Sequence, residues 1–168
     1  MKNILIITAD KCDDSELLYP YYRVIEEGFK ATIASFERNT VTAKYHFSIT
    51  ADISVNEIDA NEYDGLILPG GLAPEKLRQN KFVTDAVKTF HAAKKPIAAI
   101  CHGQQILISA GILKNKNATC YPGIKDDLIN AGAIYEDSAV VVCENLITSR
   151  RPEDLPFFMK EFSNKISC

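Results

Sequence analysis

Short runs of consecutive apolar residues recur along the chain, and segments with apolar residues at three- and four-residue spacing lie between them. A continuous apolar run is typical of a parallel strand covered on both faces, whereas the wider spacing predicts an amphipathic helix. We therefore predict an α/β fold in which strands and helices alternate. The strands are predicted at residues 4–7, 29–36, 63–68 and 96–100, and two strong helical patterns at residues 17–25 and 82–90.

The rest of the chain predicts smaller elements. Residues 37–55 have the pattern of several short strands, which we predict to form a small β excursion from the main sheet. The first helix should begin with Asp14 or Ser15 as its N-cap. A chain of 168 residues, 46% of them apolar, is long enough for one core, so we predict a single domain over residues 1–168. Residues 140–143 and 146–148 are predicted to form a pair of strands. Two later helices are predicted at residues 124–131 and 152–162.

Cys101 stands where the strand at residues 96–100 ends and a short helical pattern begins, which Gly111 ends as a C-terminal cap. With His102 and Gly103 it has the residue types of a nucleophile elbow, with sulfur in place of the serine oxygen. The N–H groups at a helix start favour negative charge, so we expect the Cys101 thiol to tend toward thiolate. The alternative is a packing role, because cysteine is often fully buried.

Other predicted strand ends also carry chemically active or flexible residues, at residues 13–16, 69–71 and 120–123. Ligands of open parallel sheets bind at the carboxyl ends of the strands, so we expect most of these segments to lie near Cys101. The turn at residues 11–16 clusters carboxylates and contains no glycine. It therefore disfavours phosphate or nucleotide binding.

Charge and composition exclude several function classes. The formal net charge is −3 with both signs interspersed, so we expect neither nucleic acid nor a membrane as a primary partner. The five cysteines lack Cys-x-x-Cys spacing and the three histidines are unpaired, so we predict reduced thiols, no metal site and no cofactor. Residues 1–7 are too short an apolar run for a signal peptide, which makes the cytoplasm the expected location.

Several motifs stand out together along the chain. They are Ala99-Ile100-Cys101-His102-Gly103, Leu68-Pro69-Gly70-Gly71 with Ala73-Pro74-Glu75, Ser35-Phe36-Glu37-Arg38, Tyr121-Pro122-Gly123-Ile124-Lys125-Asp126-Asp127 and Ile147-Thr148-Ser149-Arg150. On these motifs the chain is similar, nearly end to end, to the PfpI intracellular protease family of the ThiJ/PfpI superfamily, which also contains the Parkinson-associated deglycase. The resemblance implies a flavodoxin-like three-layer sandwich with a mostly parallel central sheet, as in class I glutamine amidotransferase domains.

The resemblance implies a catalytic set of four residues. Cys101 matches the nucleophile and His102 its acid–base partner. Glu16 matches a carboxyl that hydrogen-bonds the thiolate, and Glu75 matches a glutamate that completes the triad from an adjacent subunit. A shared triad implies a homo-oligomer, either a dimer or a trimer of dimers. Other roles remain open, because Glu16 and Glu75 also suit charges at helix starts and His102 suits a structural donor.

The resemblance further implies a set of oxyanion and substrate-binding residues. In this set, Gly71 and His102 offer backbone N–H groups to an oxyanion. The members are Gly70, Gly71, His102 and Tyr121.

Three positions depart from the pattern of the PfpI-like sequences. Leu72 stands where an arginine is frequent, Lys11 where a glutamate is frequent, and Gln104 where a proline is usual. We expect these departures to change the pocket rim. One expectation is that a substrate carboxylate meets Lys11, Arg150 or Arg151 instead of an arginine at position 72, and the alternative is that these three charges are simply solvated.

The leading hypothesis is a cysteine-dependent hydrolase, in which Cys101 attacks an electrophilic carbon, His102 relays a proton and water releases the product. The resemblance implies peptidase activity, or deglycase or glyoxalase activity on methylglyoxal and its adducts. The expected partners are small aldehydes, glycated proteins or peptides. One alternative is a redox-responsive stress or chaperone protein that senses oxidants through Cys101, with Glu16 stabilising the oxidised form. Another is an α/β ligand-binding domain without chemistry.

Overall fold

The computed structural model of the protein describes residues 1–167, so that Cys168, one of the thiols predicted to be reduced, lies outside the described residues. Its strands are β1 (Asn3–Ile7), β2 (Lys30–Ser35), β3 (Thr40–Thr42), β4 (Ser48–Thr50), β5 (Ile53–Ser54), β6 (Gly65–Leu68), β7 (Ile97–Ile100), β8 (Asn117–Ala118), β9 (Ile134–Tyr135), β10 (Val140–Cys143) and β11 (Leu146–Ser149). Its α-helices are α1 (Asp14–Glu26), α2 (Ala73–Leu77), α3 (Lys81–Ala92), α4 (Gln104–Ala110), α5 (Lys125–Asn130) and α6 (Leu155–Ser167).

Seven strands form the main sheet, in the order β10–β11–β7–β6–β1–β2–β5. Every neighbouring pair is parallel except β10 with β11, which form an antiparallel hairpin. Strands β6 and β7 are buried throughout, because helices cover both faces of the sheet. Helix α1 packs beside α6, and α3 packs beside α4. The predicted α/β sandwich with a mostly parallel central sheet is confirmed.

The predicted β excursion is present, but its last strand belongs elsewhere. Strands β3 and β4 pair antiparallel and form a separate small sheet. Strand β5 instead pairs in parallel with β2 at the edge of the main sheet. Val55, predicted to lie in this strand, begins a 3₁₀ turn that Ser54 caps with its side chain. The pattern also missed β9, a two-residue strand that pairs with β8.

Helix boundaries differ from the predictions at a few residues. Helix α1 has Asp13 as its N-cap, not Asp14 or Ser15, because the Asp13 carboxylate accepts hydrogen bonds from the N–H groups of Ser15 and Glu16. Helix α6 continues beyond the predicted end at residue 162 to Ser167. No helix within residues 1–167 is long and apolar enough to cross a membrane.

Candidate active site

Cys101 lies in a sharp turn between β7 and α4. Its φ of 62° is in the left-handed region, which a non-glycine residue adopts at a cost of about 1–3 kcal/mol. The turn is tight because a Cβ on Gly103 would lie 2.3 Å from the carbonyl oxygen of Leu68. The N–H of Cys101 donates to the carbonyl of Ser149 at 3.0 Å, which ties the turn to β11. Strain of this kind at a turn beyond the end of a sheet strand is typical of a functional residue.

The strand ends around Cys101 form a cleft of about 230 Å³. It contains four predicted site residues besides Cys101, and its wall includes apolar, acidic and basic side chains. A larger cleft of about 520 Å³ lies before β7 and β11, at the opposite end of the sheet, and holds none of the predicted site residues. The cleft at Cys101 is lined by Asp13, Glu16, Lys44, Gly71, Leu72, Cys101, His102, Tyr121, Arg151 and Pro152.

Glu16 is fully buried beneath the Cys101 side chain. Its Oε2 accepts a hydrogen bond from the N–H of Gly70 at 2.8 Å, and its Oε1 has no partner among the described residues. Burial, with the nearby charge of Asp13, raises the pKa of Glu16 from 4.5 to about 8. At neutral pH this carboxyl therefore carries a proton that it can donate toward the sulfur of Cys101.

The thiol of Cys101 is not poised as a thiolate. Burial raises its pKa well above the usual range, and Glu16 raises it further once that carboxyl ionises above a pH of about 8. Desolvation therefore opposes the expected tendency of Cys101 toward thiolate. A base must accept the thiol proton before the sulfur can attack a substrate.

His102 is the base within reach of this thiol. Its Nδ1 lies 3.3 Å from the Sγ of Cys101. Burial lowers the pKa of His102 below its usual 6.5, partly offset by the charge of Glu75, so the neutral imidazole can accept a proton at pH 7. The ring stacks on Tyr121, with 4.8 Å between ring centroids and 28° between planes. Tyr121 is in turn held in place, because its N–H donates to the carbonyl of Cys101 at 3.1 Å.

The predicted oxyanion donors differ in their availability. The N–H groups of His102 and Gly71 both lower the pKa of the Cys101 thiol, so both face its sulfur, and their role as oxyanion donors stays a prediction. Gly71 has φ of 74°, and a Cβ there would lie 2.4 Å from the nitrogen of Asp13. The N–H of Gly70 is already used by Glu16. Gly70 therefore supports the carboxyl and is not available as an oxyanion donor.

Glu75 lies apart from the other predicted catalytic residues. It is an exposed residue in the first turn of α2 and does not line the cleft. Among the hydrogen bonds of residues 1–167, none joins its carboxylate to His102, although its charge acts on the pKa of that histidine. The contribution of Glu75 from an adjacent subunit therefore stays a prediction.

The basic residues at the rim are only partly those expected. Arg151 lines the cleft, as does Lys44, which no sequence motif indicated because it lies in the distant turn between β3 and β4. Arg150 is occupied by Asp154 at 2.9 Å and Asp137 at 2.8 Å, so it is not free to meet a substrate. Lys11 lies outside the cleft.

Gln104, expected to alter the pocket rim, is fully buried behind the turn and does not reach the cleft. Of the three departures from the PfpI-like pattern, only Leu72 lines the cleft, where it is 55% exposed. The rim therefore carries an apolar residue at position 72, with Lys44 and Arg151 as its basic groups.

Comparisons with known proteins place the chain among relatives of one family. The sequence profile described as the DJ-1/PfpI family matches residues 2–165. A protein of Pyrococcus abyssi, named a deglycase, is 47% identical over 159 residues, which are 95% of this chain and 96% of the relative. A Bacillus subtilis protein, named as a candidate cysteine protease, is 39% identical over 164 residues, which are 97% of each chain.

A solved structure extends the match to three dimensions. It is a two-domain protein of Anabaena variabilis with DJ-1/ThiJ/PfpI-like and ferritin-like domains, and it superposes with a TM-score of 0.98 at 35% identity. The match covers 99% of this chain but 48% of that protein, so the chain spans about half the length of that relative. With the family profile and two full-length relatives, the chain belongs to the DJ-1/PfpI family, as its motifs predicted.

Proposed function

We propose that the protein is a cysteine-dependent hydrolase that removes methylglyoxal-derived adducts from proteins or small molecules. The observation that carries this proposal is the pair of Cys101 Sγ and His102 Nδ1, 3.3 Å apart on the floor of the cleft. A neutral imidazole beside a protonated thiol is the arrangement that a nucleophile and its general base require. The deglycase name of the Pyrococcus abyssi relative favours glycated substrates over other carbonyl compounds.

The chemistry follows from the protonation states. His102 takes the proton of Cys101, and the sulfur attacks the electrophilic carbon, so that a C–S bond replaces the C–N bond of the adduct. His102 then returns its proton to the departing nitrogen. Water afterwards cleaves the C–S bond and restores the thiol, which balances the reaction without an external oxidant or reductant. The N–H groups of Gly71 and His102 stabilise negative oxygen that develops at the carbon.

The same cycle applies to a peptide bond. Free methylglyoxal has no nitrogen leaving group, so the sulfur would add to its aldehyde carbon, a hydrogen shift within the hemithioacetal would give a thioester, and water would release lactate and restore the thiol. A peptide would pass through a thioester, and the candidate cysteine protease among the relatives makes this activity worth testing. The cleft of about 230 Å³ is small, which favours a compact adduct over an extended peptide.

The test compares wild type and Cys101→Ala on three substrates in parallel: methylglyoxal, a methylglyoxal-modified peptide and a fluorogenic peptide. We expect the wild type to release amine from the modified peptide and Cys101→Ala to release none. Wild-type activity in the Cys101→Ala protein would overturn the proposal. Cleavage of the fluorogenic peptide alone would replace the deglycase assignment with peptidase.

A redox role is a second candidate, favoured by one observation. Oε1 of Glu16 is buried, unpartnered among the described residues and close to Cys101, and the pKa of about 8 leaves the carboxyl able to donate to an oxidised sulfur. Peptide mass spectrometry after mild peroxide tests it. Added oxygen at Cys101, at doses that leave Cys143 unmodified, supports this role, whereas the reverse order of oxidation rejects it.

A further inference from the structure

Gln104 is a polar residue buried directly behind the nucleophile turn. It is the first residue of α4, has no exposed surface and does not reach the cleft. Its Nε2 lies 3.2 Å from the carbonyl oxygen of Ala99 and 2.8 Å from those of Thr119 and Ser149. Carbonyl oxygens only accept hydrogen bonds, so these three neighbours fix the orientation of the side-chain amide.

The three carbonyls belong to the segments that hold the active site together. Ala99 lies on β7, two residues before Cys101. Ser149 ends β11, and its carbonyl also accepts the N–H of Cys101 at 3.0 Å. Thr119 lies two residues before Tyr121, whose ring stacks on His102. One side chain therefore connects both strands beside the nucleophile to the loop that carries the ring on the base.

Stability alone is a poor explanation for this residue. The Oε1 of Gln104 is buried and has no partner among the described residues. A buried amide with one unsatisfied end is less favourable than a fully paired network or an apolar side chain of the same length. The donors, which face the backbone of the site, are what distinguish glutamine from such a side chain.

We propose that Gln104 is a positioning residue for the nucleophile and its base. Its amide holds the strained turn at Cys101 and the Tyr121 loop in one arrangement, and thereby keeps the Sγ of Cys101 and the ring of His102 in register. The proposal rests on the proposed function in taking Cys101 as the nucleophile. Displacement of reacting groups by about 1 Å can cost about a hundredfold in rate, so a lost positioning contact has a measurable kinetic effect.

The test uses Gln104→Met, which keeps the length of the side chain and removes the donors. Gln105→Met is the matched control, because Gln105 is the next residue of the same helix, is partly exposed and makes no side-chain hydrogen bond among the described residues. Four quantities are measured for each protein: the thermal midpoint, kcat and KM on the modified peptide, and the rate of Cys101 alkylation by iodoacetamide as a function of pH. Alkylation is followed on the Cys101 peptide by mass spectrometry, which separates it from the other thiols.

We expect Gln104→Met to lower kcat about tenfold or more while KM stays within about twofold, and to slow Cys101 alkylation with an altered pH profile. Gln105→Met should match the wild type in its kinetic constants and in its Cys101 alkylation. A Gln104→Met protein with a lower thermal midpoint, but with wild-type kcat and alkylation per folded molecule, would overturn the proposal, since that is the result of a purely structural role.

Gln104→Glu covers the case in which Gln104→Met does not fold. A protonated carboxyl offers one hydrogen where the amide offers two, and its ionised form places a charge against carbonyl oxygens. We therefore expect slower Cys101 alkylation than in the wild type at every pH, and a wild-type alkylation profile would refute the proposal. Iodoacetamide needs no enzyme substrate, so these results stand even if an active Cys101→Ala protein overturns the proposed hydrolase.

Discussion

The buried carboxyl of Glu16 makes the stability of the protein depend on pH, and Glu16→Gln should remove that dependence. Glutamine has the shape of a protonated glutamate and can keep the acceptor that Oε2 provides to the N–H of Gly70. It cannot ionise. The substitution therefore separates the cost of a buried negative charge from the packing of the side chain.

The pKa of Glu16 gives the size of the effect. Folding raises this pKa from 4.5 to about 8, so the folded state binds the proton more tightly than the unfolded state. The stabilisation from the protonated carboxyl is full below pH 4.5 and is lost as the pH rises toward 8. Because a tenfold change in proton affinity equals about 1.4 kcal/mol, the wild type loses about 5 kcal/mol over this range. Glu16→Gln should then be more stable than the wild type by a similar amount near the upper limit.

Urea unfolding at several pH values between about 5 and about 8 measures this difference. Glu26→Gln is the control, since Glu26 lies on the same helix but is exposed, and its pair with Arg23 is worth less than about 1 kcal/mol. The stability gain should appear together with a loss of kcat of about tenfold or more, because the amide that then faces Cys101 can donate a hydrogen bond but cannot transfer a proton. Two results would show that ionisation of Glu16 does not cause the pH dependence of stability. One is a Glu16→Gln protein that is less stable than the wild type at the upper pH, and the other is a difference in unfolding free energy that is the same at every pH.

Three further predictions test other parts of the site. His102→Asn should lower kcat by about a hundredfold or more, because the base that accepts the thiol proton is lost. In kinetics across pH, the acidic limb of the wild-type rate profile should have its midpoint below the usual histidine pKa of 6.5. A midpoint above 6.5 would contradict the argument that burial lowers the pKa of His102. Gly103→Ala should destabilise the protein by about 1–3 kcal/mol in urea unfolding, because the added Cβ would clash with the Leu68 carbonyl oxygen. Unchanged stability would mean that the turn adjusts to the added Cβ without cost. If Glu75 acts from an adjacent subunit, a mixture of inactive Cys101→Ala and weakened Glu75→Gln proteins should regain part of the activity once their subunits exchange. The mixed oligomer would then hold an intact Cys101 from one chain and an intact Glu75 from the other. No recovery of activity despite subunit exchange would argue that Glu75 acts within its own chain.

Local patterns predicted the sheet well because burial on both faces leaves a clear mark in the sequence. Residues 4–7 and 97–100 are continuous apolar runs, and both form fully or mostly buried strands. The turn at Cys101 was also predictable, since the strand, the cysteine, Gly103 and the cap at Gly111 adjoin in the chain. Element ends were less certain, because Asp13, Asp14 and Ser15 are all good N-caps and hydrogen-bond geometry decides among them.

Features that depend on distant residues were not predictable in the same way. Lys44 reaches the cleft only because the turn between β3 and β4 folds back beside α1, where Asp14 accepts the N–H of Tyr45 at 2.7 Å. The helix start at residue 104 suggested a thiolate at Cys101, but burial of the sulfur raises its pKa instead of lowering it. Gln104 looked like a rim residue because sequence does not tell which way the first side chain of a helix points.

Covalent attachment of substrate to Cys101 during turnover tests the central claim most directly. Wild-type protein mixed with methylglyoxal-modified peptide, quenched in acid at early times and analysed by peptide mass spectrometry, should show the substrate-derived mass on the Cys101 peptide, rising and then falling as amine is released. Cys101→Ala should show neither the mass nor the amine. Amine release by the wild type without any adduct at Cys101, or at an equal rate by Cys101→Ala, would contradict the assignment of Cys101 as the nucleophile.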